Sequence, residues 1–198
     1  MSLPRDYTGA KMGMWLFLFT EILLFGGLFV MFAVTLQRFP EEFFQASKML
    51  DTTFGTANTV VLITSSLFAV LSVTALQRGE TSRAKLFLLL TILLAGVFLV
   101  NKYFEWGHKF ELGIYPGSPD MADWAPGMVA FFNLYYVMTG LHGAHIVIGM
   151  AVLGWIYWLI ETGRCDQEHY VALENGGLYW HLVDLIWIYL FPLFYLIV

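Results

Sequence analysis

The sequence has little charge and almost no cysteine. Only 13% of its 198 residues are charged, whereas soluble domains carry about 25%. The single cysteine, Cys165, excludes an intrachain disulfide and any metal or iron–sulfur site built from cysteines. The chain also has no block of basic residues of the kind that would suggest binding to nucleic acid. A disulfide-stabilised fold and a nucleic-acid partner are therefore excluded.

Apolar side chains dominate what is present. Hydrophobic residues make up 59% of the chain, aromatic residues 18%, and the mean hydropathy is +0.69. A chain of this length cannot hide so much apolar surface in its own core, so we interpret it as an integral membrane protein. The N-terminal segment MSLPRDYTGAK is polar and leads into a full-length apolar run. It therefore differs from a cleaved signal peptide, whose apolar region is shorter.

Five apolar runs are long enough to cross a bilayer, which takes roughly 20 residues. They cover about residues 12–37, 54–77, 84–107, 128–160 and 176–198. The runs are continuous and do not alternate apolar with polar residues, as barrel strands would. We therefore predict an all-α bundle of five transmembrane helices that forms a single domain over residues 1–198. The fourth run is longer than a bilayer requires and should tilt or project from the membrane.

The lysines and arginines predict the orientation of the bundle. With the N-terminus inside, six of the ten basic residues lie on the cytoplasmic side: Arg5, Lys11, Arg78, Arg83, Lys85 and Arg164. The other four then lie outside: Arg38, Lys48, Lys102 and Lys109. Because positive residues favour the inside, we expect a cytoplasmic N-terminus and a C-terminus outside.

We single out six acidic or imidazole side chains within the predicted spans: Glu21, Glu105, His142, His145, His181 and Asp184. Such residues are costly in lipid and by default face protein or water. A helical rise of about 1.5 Å per residue places all of them except Glu105 in one layer of the cytoplasmic half. We predict one hydrogen-bonded network of Glu21, His142, His145 and His181, with Asp184 facing this layer or the cytoplasmic mouth. His181 and Asp184 should then turn toward the first and fourth spans.

Small residues in the fourth span would let a neighbouring helix approach this layer closely. They lie within TGLHGAHIVIG at Gly140, Gly143, Ala144 and Gly149. Two roles stay open for the network, because residue types and depths fit both a structural clasp and a proton-handling site. A redox centre is disfavoured. Histidines three apart on one helix do not supply both axial ligands of one haem, and the Glu-x-x-His pattern of di-iron bundles is absent.

Three further residues are assigned from depth alone. Glu105 lies near the outer end of the third span, where we expect it to cap a helix or anchor a loop. Trp180 is expected near the headgroup layer, where indoles anchor spans. Trp187 lies deeper, and we expect it to pack in the bundle or to line a lipid cleft.

Four segments carry a family resemblance. MWLFLFTEILLFGGLF contains Glu21, KYFEWGHKF contains Glu105, and FFNLYYVMTGLHGAHIVIGM contains His142, Gly143, His145 and Gly149. The last segment, HYVALENGGLYWHLVDLIWIYLF, contains His169, Glu174, Trp180, His181, Val183, Asp184 and Trp187. In this order on five spans, the segments resemble subunit III of the haem–copper terminal oxidases, and the resemblance covers nearly the whole chain after residue 12.

The resemblance implies an accessory subunit of a bacterial respiratory oxidase, which reduces oxygen and translocates protons. Haem and copper would lie in partner subunits, and this chain alone would not be catalytic. It would pack beside subunit I, with subunit II also in the complex, in the bacterial plasma membrane. It would bind phospholipid, with Arg164 as the candidate lipid-clamping arginine, and it would support proton uptake.

The resemblance leaves alternatives open. The two N-terminal helices of the seven-helix form are missing, so the family's lipid-filled cleft is either open or closed by another chain. SKMLDTTFGTANTVVLITSS and WIYLFPLFYLIV also resemble the subunit III-like proteins associated with nitric oxide reductases. A standalone proton-coupled carrier is a second alternative, although only Pro192 interrupts a span.

Overall fold

Six α-helices account for most of the structure, a computed structural model that describes residues 7–197. They are α1 (Tyr7–Arg38), α2 (Pro40–Ser47), α3 (Thr52–Gln77), α4 (Thr81–Glu111), α5 (Pro126–Glu161) and α6 (Val171–Tyr195), with a short 3₁₀ turn at Pro119–Met121. Arg5, used above for the orientation, and Val198, the predicted end of the last span, lie outside the described residues. Between residues 7 and 197 the chain forms no β-strand.

Five of the described helices, all except α2, are long and apolar enough to cross a membrane. The predicted all-α class and the number of membrane-crossing helices are therefore confirmed. The orientation of the bundle stays a prediction. The helices overrun the apolar runs by up to five residues: α1 begins at Tyr7 and not at 12, and α6 begins at Val171 and not at 176.

Local capping chemistry sets the helix ends, and hydropathy does not detect it. The side chain of Asp51 accepts hydrogen bonds from the backbone N–H groups of Thr53 and Phe54, at 2.8 and 3.4 Å, and so begins α3. After α4, Gly113 adopts a φ of +71°, a left-handed conformation that glycine adopts without steric cost. The next amide, of Ile114, donates to the Lys109 carbonyl at 2.9 Å and closes the helix end.

Helix α6 is central in the bundle and α1 is peripheral. Half of the most apolar window of α6 is buried inside the protein, compared with 17% of that window in α1. Helix α6 packs against α3 on one side and α5 on the other, while α3 and α4 form a tightly packed hairpin. Among the five membrane helices described, α6 therefore has the largest share of its apolar window covered by protein.

Helix α2 was not predicted, and it lies across one end of the bundle. Its Phe43 is completely buried and contacts Phe32 of α1 and Phe131 of α5 edge-to-face, with ring centroids 5.3 Å apart in both pairs. Phe194 of α6 joins the same group at 5.0 Å from Phe32. This aromatic cluster connects α1, α2, α5 and α6 at the end of the bundle where α1 finishes.

Two of the four small residues lie at a close helix approach, as predicted. A Cβ on Gly140 would lie 3.2 Å from the ring of Trp106 in α4. A Cβ on Gly149 would lie 2.8 Å from the ring of Trp180, so the α5–α6 contact depends on that glycine. A Cβ on Gly143 would meet no described atom within 4 Å, and Ala144 is exposed. The prediction that Gly143 and Ala144 admit a neighbouring helix is wrong, because α6 contacts the opposite side of α5.

Candidate functional site

The side chains of Glu21 and His145 meet at the contact between α1 and α5. His145 Nε2 lies 2.8 Å from Glu21 Oε2, and His145 Nδ1 lies 2.8 Å from the Leu141 carbonyl oxygen. A carbonyl oxygen can only accept, so Nδ1 carries a hydrogen and donates it. The contact between Nε2 and the carboxyl group then needs one more proton, carried either by the imidazole or by the carboxyl. The two side chains therefore hold one shared proton and have no net charge.

The setting of this pair combines burial with limited access. About an eighth of each side chain is exposed, 13% for Glu21 and 11% for His145. The Phe25 ring contacts the imidazole edge-on, with ring centroids 5.3 Å apart. Because α1 is the least covered membrane helix, the pair lies just beneath a surface that is open to lipid or to another chain.

His142 lies in an apolar environment and does not join the pair. It is completely buried, stacks on Trp187 at a centroid distance of 5.3 Å, and meets Phe98 edge-to-face at 5.6 Å. Neither ring nitrogen forms a hydrogen bond with a described residue. The prediction that His142 belongs to the Glu21 network is wrong, because positions 142 and 145 lie on neighbouring but distinct sides of α5.

His181 and Asp184 face α3 and form a second cluster. His181 Nδ1 lies 2.5 Å from the Ser66 hydroxyl oxygen. Asp184 is buried near Ser66 as well, but its two carboxyl oxygens accept no well-formed hydrogen bond from the described residues. The prediction that these side chains turn toward α1 and α5 is wrong. The central position of α6 directs this side of the helix toward α3.

Glu105 is the centre of the most extensive buried polar cluster. Its Oε1 accepts hydrogen bonds from the hydroxyl groups of Tyr135 at 2.7 Å and Tyr195 at 2.5 Å. Its Oε2 lies 3.0 Å from Lys102 Nζ, which also donates to both tyrosine oxygens, at 3.2 and 2.7 Å. The expected cap or loop anchor is wrong: Glu105 connects α4, α5 and α6 inside the bundle. Sequence reasoning missed Lys102, Tyr135 and Tyr195.

Two exposed contacts connect the start of α1 to the first turn of α6 and to the segment before it. Lys11 forms an ion pair with Glu174 at 3.0 Å, and Tyr7 stacks on His169 at a centroid distance of 6.4 Å. Asp166 accepts hydrogen bonds from the His169 backbone and ring nitrogens at 2.8 and 3.1 Å. Partial burial raises the pKa of Asp166, but the amide donors of residues 169 and 168 outweigh this and hold the pKa below its ordinary value.

The two tryptophans of α6 are both buried. Trp180 is completely covered and its indole N–H donates to the Ser65 hydroxyl at 3.1 Å, so its expected position in the headgroup layer is wrong. Trp187 donates to the Thr59 hydroxyl at 3.0 Å, and its ring contacts Phe98 at 4.8 Å. Its predicted packing inside the bundle matches this position.

Arg164 lies at a surface groove between the start of α1 and the end of α5. The guanidinium group lies 5.1 Å above the Trp158 ring and is exposed to solvent. The groove, of about 460 Å³, is also lined by Tyr7, Trp155 and His169. A second, more apolar groove of about 300 Å³ begins where the first ends, since both share Trp155 and Ala172. Together they combine a cationic end with an apolar lining.

No group of three or more His, Cys, Asp or Glu side chains within residues 7–197 could hold a metal ion. What the described residues do form is a set of acid and imidazole contacts buried between helices. These features define an all-α integral membrane protein with a proton-holding pair at one helix contact and a neutral polar cluster at another.

The chain belongs to the cytochrome c oxidase subunit III family, whose model matches residues 5–197. Cytochrome c oxidase subunit 3 of Bacillus subtilis is 31% identical, over 93% of this chain and 84% of the relative. Quinol oxidase subunit 3 of Bacillus spizizenii is 29% identical, over 93% and 85%. The heme-copper oxidase subunit I+III of Aeropyrum pernix is 28% identical, over 98% of this chain but 23% of that protein.

The family resemblance seen in the sequence is thereby confirmed. The chain is an accessory subunit III of a respiratory haem–copper oxidase, a complex that is an oxidoreductase. The relatives do not favour the nitric oxide reductase or carrier alternatives.

Proposed function

We propose that the chain packs directly against the haem-bearing subunit I in the bacterial plasma membrane, with its N-terminus in the cytoplasm. The observation that carries this proposal is the Aeropyrum pernix relative, whose name joins subunits I and III and which matches 98% of this chain. A covalent connection raises the effective concentration of two segments that must meet. Subunit II, haem and copper belong to the partner side of the complex, and this chain by itself is not catalytic.

The Glu21–His145 pair is the group through which this chain would support proton uptake. The pair contains one proton between two exchangeable sites 2.8 Å apart, so a proton can move between them without leaving a net charge in the membrane. Its partial exposure beneath the least covered helix gives access from a partner surface. His181 and Asp184 contribute as a clasp between α3 and α6, and His142 contributes packing.

Phospholipid would occupy the connected grooves beside Arg164. The guanidinium group provides a cation at the end of α5, where a headgroup phosphate would lie. From there the lining becomes apolar through Met14, Phe17 and Val152, as the start of an acyl chain requires. This occupant would cover part of the surface that α1 and α5 leave open.

A co-purification experiment tests the proposal. The tagged chain is isolated from membranes in mild detergent, and its partners are identified by mass spectrometry and by haem spectra. We expect a haem-bearing subunit I at a one-to-one ratio, and no haem spectrum from the chain after the partner is removed. Isolation without that partner, combined with proton flux in liposomes that contain the chain alone, would contradict the proposal.

A further inference from the structure

A third groove lies at the opposite end of the bundle from Arg164, around the end of α4. It has a volume of about 480 Å³ and is lined by the α2–α3 connection, residues 48–51, together with Phe54, Phe104, Glu105, His108 and Lys109. Helix α4 ends at Glu111, so the residues that it contributes to the groove lie within its last two turns. Neither the family assignment nor the proposed function gives this groove a role.

The acidic side chains at the groove are already engaged. Both oxygens of Glu105 are occupied by Lys102, Tyr135 and Tyr195. Asp51 uses Oδ1 to cap the first amides of α3. Among the described residues, Asp51 forms no ion pair with either Lys48 or Lys109.

The cationic side chains at the groove have donors left over. Lys109 is only 5% exposed, yet its Nζ donates one long hydrogen bond of 3.5 Å among the described residues, to the Met49 carbonyl oxygen. Its other contact is with the Tyr135 ring, whose centroid lies 6.0 Å away. An ammonium group has three donors, and a buried charge with unused donors is unfavourable unless an acceptor is supplied. Lys48 lies on the rim with its Nζ 3.8 Å above the Phe44 ring, and His108 adds a further polar group.

The charge balance has a definite sign. Glu105 and Lys102 form a neutral pair, which leaves the ammonium groups of Lys48 and Lys109 against the single carboxylate of Asp51. The groove therefore has surplus positive charge and surplus donors. Phe54 and Phe104 are exposed beside it, by 40% and 61%, and provide an apolar surface next to the cationic one.

From this geometry we infer that the groove binds a phosphate-type anion, with Lys109 as its buried ligand and Lys48 on the rim. A phosphate group supplies several acceptor oxygens to a point-like ammonium charge, which suits lysine. The same chemistry is found in an anionic lipid headgroup, whose acyl chains would pack on Phe54 and Phe104, and in free inorganic phosphate. The inference does not depend on the proposed function.

The test measures binding to the delipidated complex, using phosphatidylglycerol, phosphatidylcholine and inorganic phosphate as probes and native mass spectrometry as the readout. Lys109→Gln removes the buried charge and should lower phosphatidylglycerol affinity roughly tenfold, the loss expected for one charge-assisted hydrogen bond. Lys48→Gln should give a smaller reduction of about threefold, since exposed charges contribute less. Lys85→Gln is the matched control, because Lys85 lies on the same helix at the other end and pairs with Glu161 at 2.6 Å.

The two sources give different results, and both would support the site. Preference for phosphatidylglycerol that phosphate does not compete away identifies a lipid headgroup. Phosphate binding that depends on Lys109, with no added gain from the lipid, identifies a free anion. If the wild-type complex binds phosphatidylglycerol and phosphatidylcholine equally and binds no phosphate, this result alone would overturn the inference. Should Lys109→Gln fail to fold, unchanged affinity in Lys48→Gln would overturn it.

Discussion

Replacing Lys102 with methionine removes the positive partner from the Glu105 cluster but leaves both tyrosine hydroxyls in place. The carboxyl group of Glu105 would keep its hydrogen bonds of 2.7 Å to Tyr135 and 2.5 Å to Tyr195. Breaking a buried ion pair costs about 3–5 kcal/mol in soluble proteins. The two remaining donors reduce that loss, so we expect Lys102→Met to lower the free energy of unfolding by about 2–3 kcal/mol.

The reverse substitution should cost more. Glu105→Gln leaves the Lys102 ammonium group buried without a negative charge to balance it. The side chain of Lys102 is only 10% exposed and that of Glu105 only 3% exposed. We expect a loss of about 4 kcal/mol for Glu105→Gln. In the double variant neither charge remains, so its loss should fall short of the sum of the single losses by about 2 kcal/mol or more.

The assay is reversible unfolding in mixed micelles, followed by tryptophan fluorescence and circular dichroism for all four proteins of the cycle. The exposed Arg83–Glu80 pair, 2.8 Å apart at the start of α4, is the matched control and should show coupling below about 1 kcal/mol. Additive losses at Lys102 and Glu105, within about 0.5 kcal/mol, would refute the conclusion that their charges compensate each other.

Three other substitutions test the remaining contacts. Glu21→Gln keeps a hydrogen-bonding group beside His145 but removes the exchangeable carboxyl proton. We expect assembly to be unchanged and proton uptake to be slowed but not abolished, as followed by pH-indicator dyes during oxygen reduction. The exposed Glu41→Gln is its control. Gly149→Ala places a Cβ 2.8 Å from Trp180 and should destabilise the protein by about 1–3 kcal/mol in the micelle assay, whereas Gly143→Ala should stay within about 0.5 kcal/mol. The Asp166 carboxylate accepts hydrogen bonds from the amides of Glu168 and His169, and folding lowers its pKa. The hydrogen-exchange protection of these amides should therefore be complete above the ordinary aspartate pKa and decline as the pH falls through the lower pKa of the folded state. Asp166→Asn should lose that pH dependence.

Each of these substitutions has an outcome that would contradict its reasoning. Complete loss of oxygen reduction in Glu21→Gln, at full haem content, would show that the carboxyl group is essential and not merely supportive. Equal stability of the Gly149 and Gly143 variants would mean that α5 and α6 separate without cost. Protection at residues 168 and 169 that is the same at every pH would show that the charge of Asp166 does not hold the turn.

The sequence could predict the membrane helices because each is a continuous apolar run, and hydropathy is a property of single residues. It could not predict α2, whose eight residues are too few for a span and whose Phe43 is buried only because α1, α5 and α6 meet around it. The helix ends were also displaced, since they depend on caps such as Asp51 and on the backbone at Gly113.

Depth predicted one polar contact and misassigned others. Glu21 and His145 were expected in one layer, and the structure places them 2.8 Å apart. Side chains at the same depth can face different neighbouring helices. His181 was therefore assigned to α1 and α5, although it contacts Ser66 of α3. Lys102 was treated as an outside charge by the topology rule. Its position three residues before Glu105, on the same side of a helix, was the signal that could have revealed the buried pair.

The central position of α6 has a consequence for biogenesis. This helix leaves the ribosome after α3 and α4, yet it supplies Tyr195 to the Lys102–Glu105 pair, Trp180 to Ser65 and His181 to Ser66. Before α6 is inserted, the polar side chains of α3 and α4 lie in the membrane without the hydrogen-bond partners that α6 supplies. A nascent chain stalled before residue 171 should therefore need a protective insertion factor, and quality-control proteases should recognise it as incomplete.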